Sequence, residues 1–212
     1  MHRVGKAVTI SRSGQGALSR AIAKRLKADG MDVRFETQAP VEDPDVSICT
    51  SGKMIISRPW EALEHLPEMF QANYAEPRRF IEQEIAKMQK FETNGQIIVI
   101  GSNSARYGKP FAEDYSALKT ALWKFCELRA IIAKEYGIRI TCINLGGVYN
   151  EFWNHVRSQT DFHGGAAVAY QMIPEAGKGM TSEEVAEFIL MLINMPKNLA
   201  MKDCLLVGRA YQ

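Results

Sequence analysis

The chain has 212 residues, 46% of them hydrophobic and 24% charged, with a formal net charge of +2. That length and balance fit one globular domain with a sizeable core and exclude a disordered chain. The weak charge gives no reason to expect nucleic acid or an anionic membrane as a partner, and no run of about 18 uncharged apolar residues is present to span a bilayer.

In chain order, residues 6–11 (KAVTIS) read as a strand. Residues 17–29 (ALSRAIAKRLKAD) read as a helix closed by Gly30. MDVRFE at 31–36 and VSICT at 46–50 are a second and a third strand. Residues 60–90 carry two helical segments, the second over EPRRFIEQEIAKMQ. QIIVIGS at 96–102 is a continuous apolar strand, as expected where helices cover both sheet faces. A long helical pattern fills 112–136, and IRITCINL at 138–145 is a strand. Residues 151–180 hold Gly164, Gly165, Pro174, Gly177 and Gly179 among aromatics and read as a loop-rich segment. TSEEVAEFILMLINM at 181–195 opens on a capping box, Thr181 or Ser182 with Glu184, and CLLVG at 204–208 is the last strand.

This alternation predicts the α/β class, a doubly wound parallel sheet with helices on both faces, Rossmann-like, in a single domain over 1–212. One link departs from it. Residues 37–45 (TQAPVEDPD) are too short and too rich in proline for a crossover helix, so an extended crossover is expected there.

Two stretches carry chemistry. The first is Gly14-Gln15-Gly16-Ala17-Leu18-Ser19, the GxGxxG spacing with Ser in third place, set between a strand and a helix. Glycines allow a tight turn and close approach to a pyrophosphate, which the helix N-terminus attracts. Glu36, twenty residues beyond Gly16, stands where an acid binds a ribose 2′-hydroxyl. Arg12, flanked by Ser11 and Ser13, or else Arg34, could hold a 2′-phosphate, so NAD and NADP both remain open. The competing reading is an ordinary glycine-rich turn with a solvated Glu36.

The second stretch begins with Ser102 at the end of an apolar strand and continues to Tyr115-Ser116-Ala117-Leu118-Lys119. Positions i and i+4 share a helix face, so Lys119 can hold its ammonium near the Tyr115 hydroxyl. Free tyrosine is a poor base at neutral pH, and a neighbouring cation favours the phenolate. Ser102 can donate a hydrogen bond to a substrate oxygen. Together these groups suit proton transfer at a carbonyl or alcohol beside a hydride carrier. A Tyr–Lys pair alone is a common surface spacing; the order of glycine turn, serine and Tyr–Lys helix gives it weight.

On these motifs the chain resembles the short-chain dehydrogenase/reductase family over nearly its whole length. The resemblance implies a catalytic set of Ser102, Tyr115, Lys119 and Asn73. In it Asn73, in FQANYAEPRRFI, supports a water linked to the lysine. It implies cofactor contacts from Ser11, Arg12, Ser13, Gly14, Gly16, Leu18, Glu36, Gly52 and Val148, the last as a backbone contact to the nicotinamide carboxamide. Departures from the family pattern fall on the nucleotide side. SRSGQGALS replaces the usual glycine pattern, Cys49-Thr50-Ser51-Gly52 keeps only the last glycine of its segment, and the helix after the second strand is missing. In the segment after the 138–145 strand, Gly146 takes the usual proline place and Asn150 that of a threonine.

The expected function is therefore NAD(P)-dependent interconversion of a carbonyl and an alcohol in a small molecule. Phe152, Trp153, His155, Phe162, His163, Tyr170 and Met172 are candidates for an apolar substrate pocket or for plain packing. The two histidines lack a third ligand at metal spacing, so no metal is expected. The alternatives are a non-catalytic dinucleotide-binding sensor or interaction module on the same fold, and a structural protein that binds no nucleotide. The start, MHRVGKAVTIS, lacks a signal-peptide stretch, and Cys49, Cys126, Cys142 and Cys204 form no CxxC; both point to a cytoplasmic protein with reduced thiols. Trp123, Phe125, Leu128, Ile131 and Ile132 spread over more of their helix than one core face needs. With the resemblance, that implies a homodimer or homotetramer.

Overall fold

A computed structural model describes residues 5–11, 16–37, 41–57, 61–109, 111–158 and 179–209. Its centre is a six-stranded sheet of β1 (Ala7–Ile10), β2 (Asp32–Phe35), β3 (Val46–Cys49), β4 (Gln96–Ile100), β5 (Arg139–Leu145) and β6 (Cys204–Leu206). The strands lie in the order β2-β1-β3-β4-β5-β6, and every pair is parallel. Three central strands, β1, β3 and β4, are buried at every position. This is why their sequences read as continuous apolar runs without alternation.

The helices are α1 (Ala17–Ala28), α2 (Ala62–Phe70), α3 (Glu76–Phe91), α4 (Ser104–Tyr107), α5 (Glu113–Ala133), α6 (Phe152–Ser158) and α7 (Ser182–Ile193). On one face, Ile22 and Leu26 of α1 and Val185 and Ile189 of α7 pack on Val8, Ile10, Ile48 and Ile98. On the other, Ile81, Ile85 and Met88 of α3 and Leu122 and Cys126 of α5 pack on Ile97, Val99 and Ile140. Each such fully buried aliphatic side chain contributes about 1.5–3 kcal/mol of transfer free energy. Gly30 ends α1 at φ 81°, the left-handed region where a side chain is strained. Thr181 opens α7 with a complete capping box: its hydroxyl accepts from the Glu184 N–H, and Glu184 accepts from the Thr181 N–H at 2.7 Å.

The crossover from β2 to β3 passes over β1 with no helix among the described residues of the link. Asp45 stitches its end to β1, accepting from the Ala7 N–H at 2.8 Å through its carboxylate and donating to the Ala7 carbonyl from its own N–H. Three elements differ from the sequence reading. Strand β4 stops at Ile100, because the chain turns after Gly101 into the short α4. The two expected helices over 60–90 run together through a wide turn at Gln71–Ala75. Residues 152–158 of the expected loop-rich segment are helical, and 159–178 lie outside the described residues.

Candidate active site

The carboxyl ends of β1, β3, β4 and β5 open into a cavity of about 740 Å³. Open α/β sheets place ligands there, in the crevice where strand order reverses. Here the reversal lies between β1 and β3.

Helix α5 supplies the centre of the site. Tyr115, Lys119, Leu122 and Cys126 form its inward stripe at helical spacing. Tyr115 is buried and Lys119 is only 2% exposed, yet both line the cavity. The Lys119 ammonium lies 5.7 Å from the centroid of the Tyr115 ring and donates to the Ser51 carbonyl at 3.2 Å. Among the described residues no carboxylate pairs with it; a backbone carbonyl and a π face hold the charge. Ser102 also lines the cavity, just past β4. Its Oγ accepts from the Ser104 N–H at 3.1 Å, which leaves its own O–H to donate.

Asn73 sits behind the lysine, fully buried, in the wide turn between α2 and α3. Its Nδ2 donates to the carbonyls of Lys53 at 2.6 Å and Met69 at 3.0 Å, and its Oδ1 accepts from the Lys53 N–H at 3.1 Å. The side chain thus clamps the segment after β3 to the helix layer. Pro77 has no N–H to return to the Asn73 carbonyl, a local reason for the widened turn. Gly52 fills the space between these groups: a Cβ there would stand 2.8 Å from Lys119 Nζ and 3.3 Å from Asn73 Oδ1.

The nucleotide side is built from α1 and β3. Gly16, Ala17, Leu18 and Ser19 line the cavity, and among the described residues no side chain caps α1, which leaves its first N–H groups at the opening. No described residue lies within 4 Å of where a Gly16 Cβ would be. This open, uncapped helix start fits the pyrophosphate of a dinucleotide. Ser11 plays a different part: it is buried, accepts from the Thr50 N–H at 3.0 Å, and ties β1 to β3 rather than forming the wall. Ser19 donates to Thr50 Oγ1 at 3.0 Å and fixes the start of α1 to the same segment. Glu36 follows β2, half-buried, with its N–H on the Ile10 carbonyl, and it stands outside the cavity wall. Arg34 is paired with Asp32 at 2.8 Å on the exposed strand edge. Arg12, Ser13 and Gly14 lie outside the described residues.

The opposite wall comes from the segment after β5. Gly146, Gly147 and Val148 line the cavity, and the Val148 carbonyl accepts from the Trp153 indole at 2.9 Å. Asn150 caps α6, its Oδ1 accepting from the Phe152 N–H at 3.0 Å. The Phe152 and Trp153 rings meet edge to face, 5.4 Å apart. Tyr107 and Lys109 complete this side. Neither stood out in the sequence, because α4 is a single short turn with no amphipathic period. Burial raises the Cys49 thiol above its ordinary value and pushes Cys204 up to about 11, so these thiols stay protonated at neutral pH and are poor nucleophiles. Among the described residues no group of three potential ligands is placed to hold a metal ion.

The sheet order, the uncapped helix start at the strand ends and the cavity between them define a Rossmann-like protein. A model of the family described as short chain dehydrogenase matches residues 61–161, the part of the chain that carries Asn73, Ser102, Tyr115 and Lys119. That stretch is just under half of the chain, and over it the chain is similar to that family. It is 28% identical over 168 residues to human 17-beta-hydroxysteroid dehydrogenase type 1, a match covering 72% of this chain and 50% of the relative. It is 36% identical over 77 residues to the L-rhamnose 1-dehydrogenase (NADP(+)) of Thermoplasma acidophilum, covering 36% of this chain and 30% of that protein. The chain thus spans half or less of the curated relatives it matches. Among solved structures, an alcohol dehydrogenase from the archaeon Thermococcus sibiricus complexed with 5-hydroxy-NADP shares the fold at TM-score 0.75 and 18% identity, covering 98% of both chains. A serine dehydrogenase complexed with NADP+ does so at TM-score 0.79 and 17% identity, covering 95% of this chain and 94% of its own.

Proposed function

We propose that the chain is an NAD(P)-dependent oxidoreductase that interconverts a carbonyl and an alcohol, with Tyr115 as proton donor and acceptor. The observation that supports it most is the convergence of Tyr115, Lys119 and Ser102 on one cavity whose far side is the open start of α1. A bound nicotinamide supplies the hydride; the chain's own groups handle binding and the proton. Ser102 donates its free O–H to the substrate oxygen. Tyr115 gives its phenolic proton to that oxygen in reduction and takes it back in oxidation. Lys119 stabilises the charge left on the ring oxygen. One of its three donors is spent on Ser51, and the others face the cavity. Asn73 keeps the lysine's surroundings in place through Lys53, and its backbone carbonyl is the group offered to a water behind Lys119.

The residues offered to the dinucleotide are Gly16 and Leu18 at the pyrophosphate, Gly52 beside Lys119, and Val148 at the carboxamide, with Glu36 toward the ribose. Either NAD or NADP serves this reading. Tyr115→Phe tests the reading: turnover of a carbonyl panel with NADH or NADPH should fall at least 100-fold while nucleotide affinity, measured by calorimetry, stays within about threefold. Unchanged turnover sinks the mechanism. One observation favours the non-catalytic sensor instead, the absence of a helix among the described residues between β2 and β3. Nucleotide binding without any carbonyl turnover by the unaltered protein would support it.

The exposed stripe on α5, with Leu128 at 57% and Ile131 and Ile132 at 52%, supports self-association into a homodimer or homotetramer. No described helix is long and apolar enough to cross a membrane, and four buried free cysteines accord with a reducing, cytoplasmic setting.

A further inference from the structure

The cavity wall contains a charge that the proton relay does not use. Sheet order separates two regions of the cavity. The pyrophosphate side comes from α1 and the segment after β3, whereas Tyr107, Lys109 and Tyr115 come from the segment after β4. Lys109 lies six residues before Tyr115 and lines the same cavity. It is half-buried, and among the described residues its ammonium has neither an ion pair nor a hydrogen-bond partner. The wall's other charges are occupied. Lys119 is held by the Ser51 carbonyl, and Glu151 is paired with Arg20 at 2.8 Å. Glu113 accepts from the Phe111 N–H at 3.1 Å, next to the loop that carries Lys109.

The rest of this region is apolar and firmly built. Met54 is buried in one cluster with Tyr115, and Phe152 and Trp153 pack against that cluster. The Trp153 indole is locked on the Val148 carbonyl. A partly desolvated, unpaired ammonium beside an aromatic wall is a recognition element for an anion, because a charge-assisted bond gains most where water is excluded.

We propose that the substrate is a carbonyl compound with an aromatic or flat apolar frame and an anionic group, a carboxylate or its like, and that Lys109 receives that group. The proposal rests on the oxidoreductase reading. Lys109 would then orient the reacting carbonyl toward Ser102 and Tyr115 by anchoring the far end of the molecule. A neutral molecule of the same shape fits the aromatic wall but leaves the ammonium without its partner.

A matched pair of probes tests this: 4-carboxybenzaldehyde and its neutral methyl ester, methyl 4-formylbenzoate. Both are measured by steady-state kinetics and by calorimetric binding to the protein saturated with oxidised cofactor, where no hydride can move. The carboxylate should be favoured at least tenfold, in KM and in Kd rather than in kcat. Lys109→Met should collapse that ratio to near one, Lys109→Glu should invert it, and Lys109→Arg should retain most of it. Equal binding of the two aldehydes, no binding of either, or a ratio that survives Lys109→Met overturns the proposal. The oxidoreductase reading fails separately, if no aldehyde of any charge is reduced while nucleotide still binds.

Discussion

Gly52→Ala separates a structural role from a chemical one at the centre of the site. The added methyl would lie 2.8 Å from Lys119 Nζ and 3.3 Å from Asn73 Oδ1, where ordinary contact begins near 3.4 Å. The closer atom ends a flexible side chain, so the ammonium yields rather than the backbone. The stability cost should fall at the low end of overpacking, about 1 kcal/mol, or a Tm drop of roughly 2–4 °C for a chain of this size. The chemical cost is larger. Moving Nζ away weakens its 3.2 Å bond to the Ser51 carbonyl, the hydrogen bond that fixes it among the described residues. A hydrogen bond to a charged group is worth about 1.5–3 kcal/mol. If half of that is lost from the stabilisation of the Tyr115 oxygen, kcat falls on the order of 10-fold, since each 1.36 kcal/mol is a factor of ten. The assay is kcat and KM beside a thermal melt of the same preparation. A variant with the expected Tm loss and unchanged kcat would refute the idea that the lysine position matters to turnover.

Two further outcomes follow from the packing. The Thr181 backbone and side-chain bonds hold the Glu184 carboxyl below its ordinary range. A depressed folded-state value means that this stabilisation is present above the unfolded value, about 4.3, and is lost as pH falls through the folded one. Glu184→Gln should therefore flatten the acid side of a Tm–pH curve and lower Tm at neutral pH; an unaltered slope would show that the cap does not couple to unfolding. On α5, Ile131→Glu with Ile132→Glu should shift the mass measured by light scattering toward the monomer without lowering Tm by more than about 2 °C, because both side chains are half exposed. A mass that stays oligomeric would place the contact elsewhere.

Much of this was legible because strand burial and helix period leave separate marks. β4 reads as a continuous apolar run and is buried at every position. The Tyr115–Lys119 spacing put both residues on the buried stripe of α5. What stayed hidden depends on pairing across the chain. Nothing local shows that the Asn73 amide is saturated by Lys53 and Met69, twenty and four residues away. Ser11 looked like part of a phosphate turn, but its hydroxyl is used by residues 50 and 51. Arg34 looked available for a phosphate and is held by Asp32, two residues back on the same strand. Helix α6 escaped notice because its start depends on a cap by Asn150 and on the Trp153–Val148 bond, not on apolar periodicity.

The shortened nucleotide half raises the question of what fixes the start of α1. With no helix among the described residues between β2 and β3, α1 has no described neighbour from that link. It leans instead on α7, through Ile22 and Leu26 against Val185 and Ile189, with an Arg25–Glu187 ion pair at 2.5 Å at the rim. An exposed pair of that kind adds little, so the apolar contact carries the fixation. Helix α7 is in turn set by its capping box, and the adjoining Val148–Met180 bridge links it to the segment over the cavity. The orientation of the α1 N–H groups toward a pyrophosphate thus depends on residues more than 160 positions away, on the same stretch that places Val148 and Trp153. The start of α1 and the segment over the cavity are thus joined through α7, so a change in that helix should alter nucleotide affinity and substrate KM together.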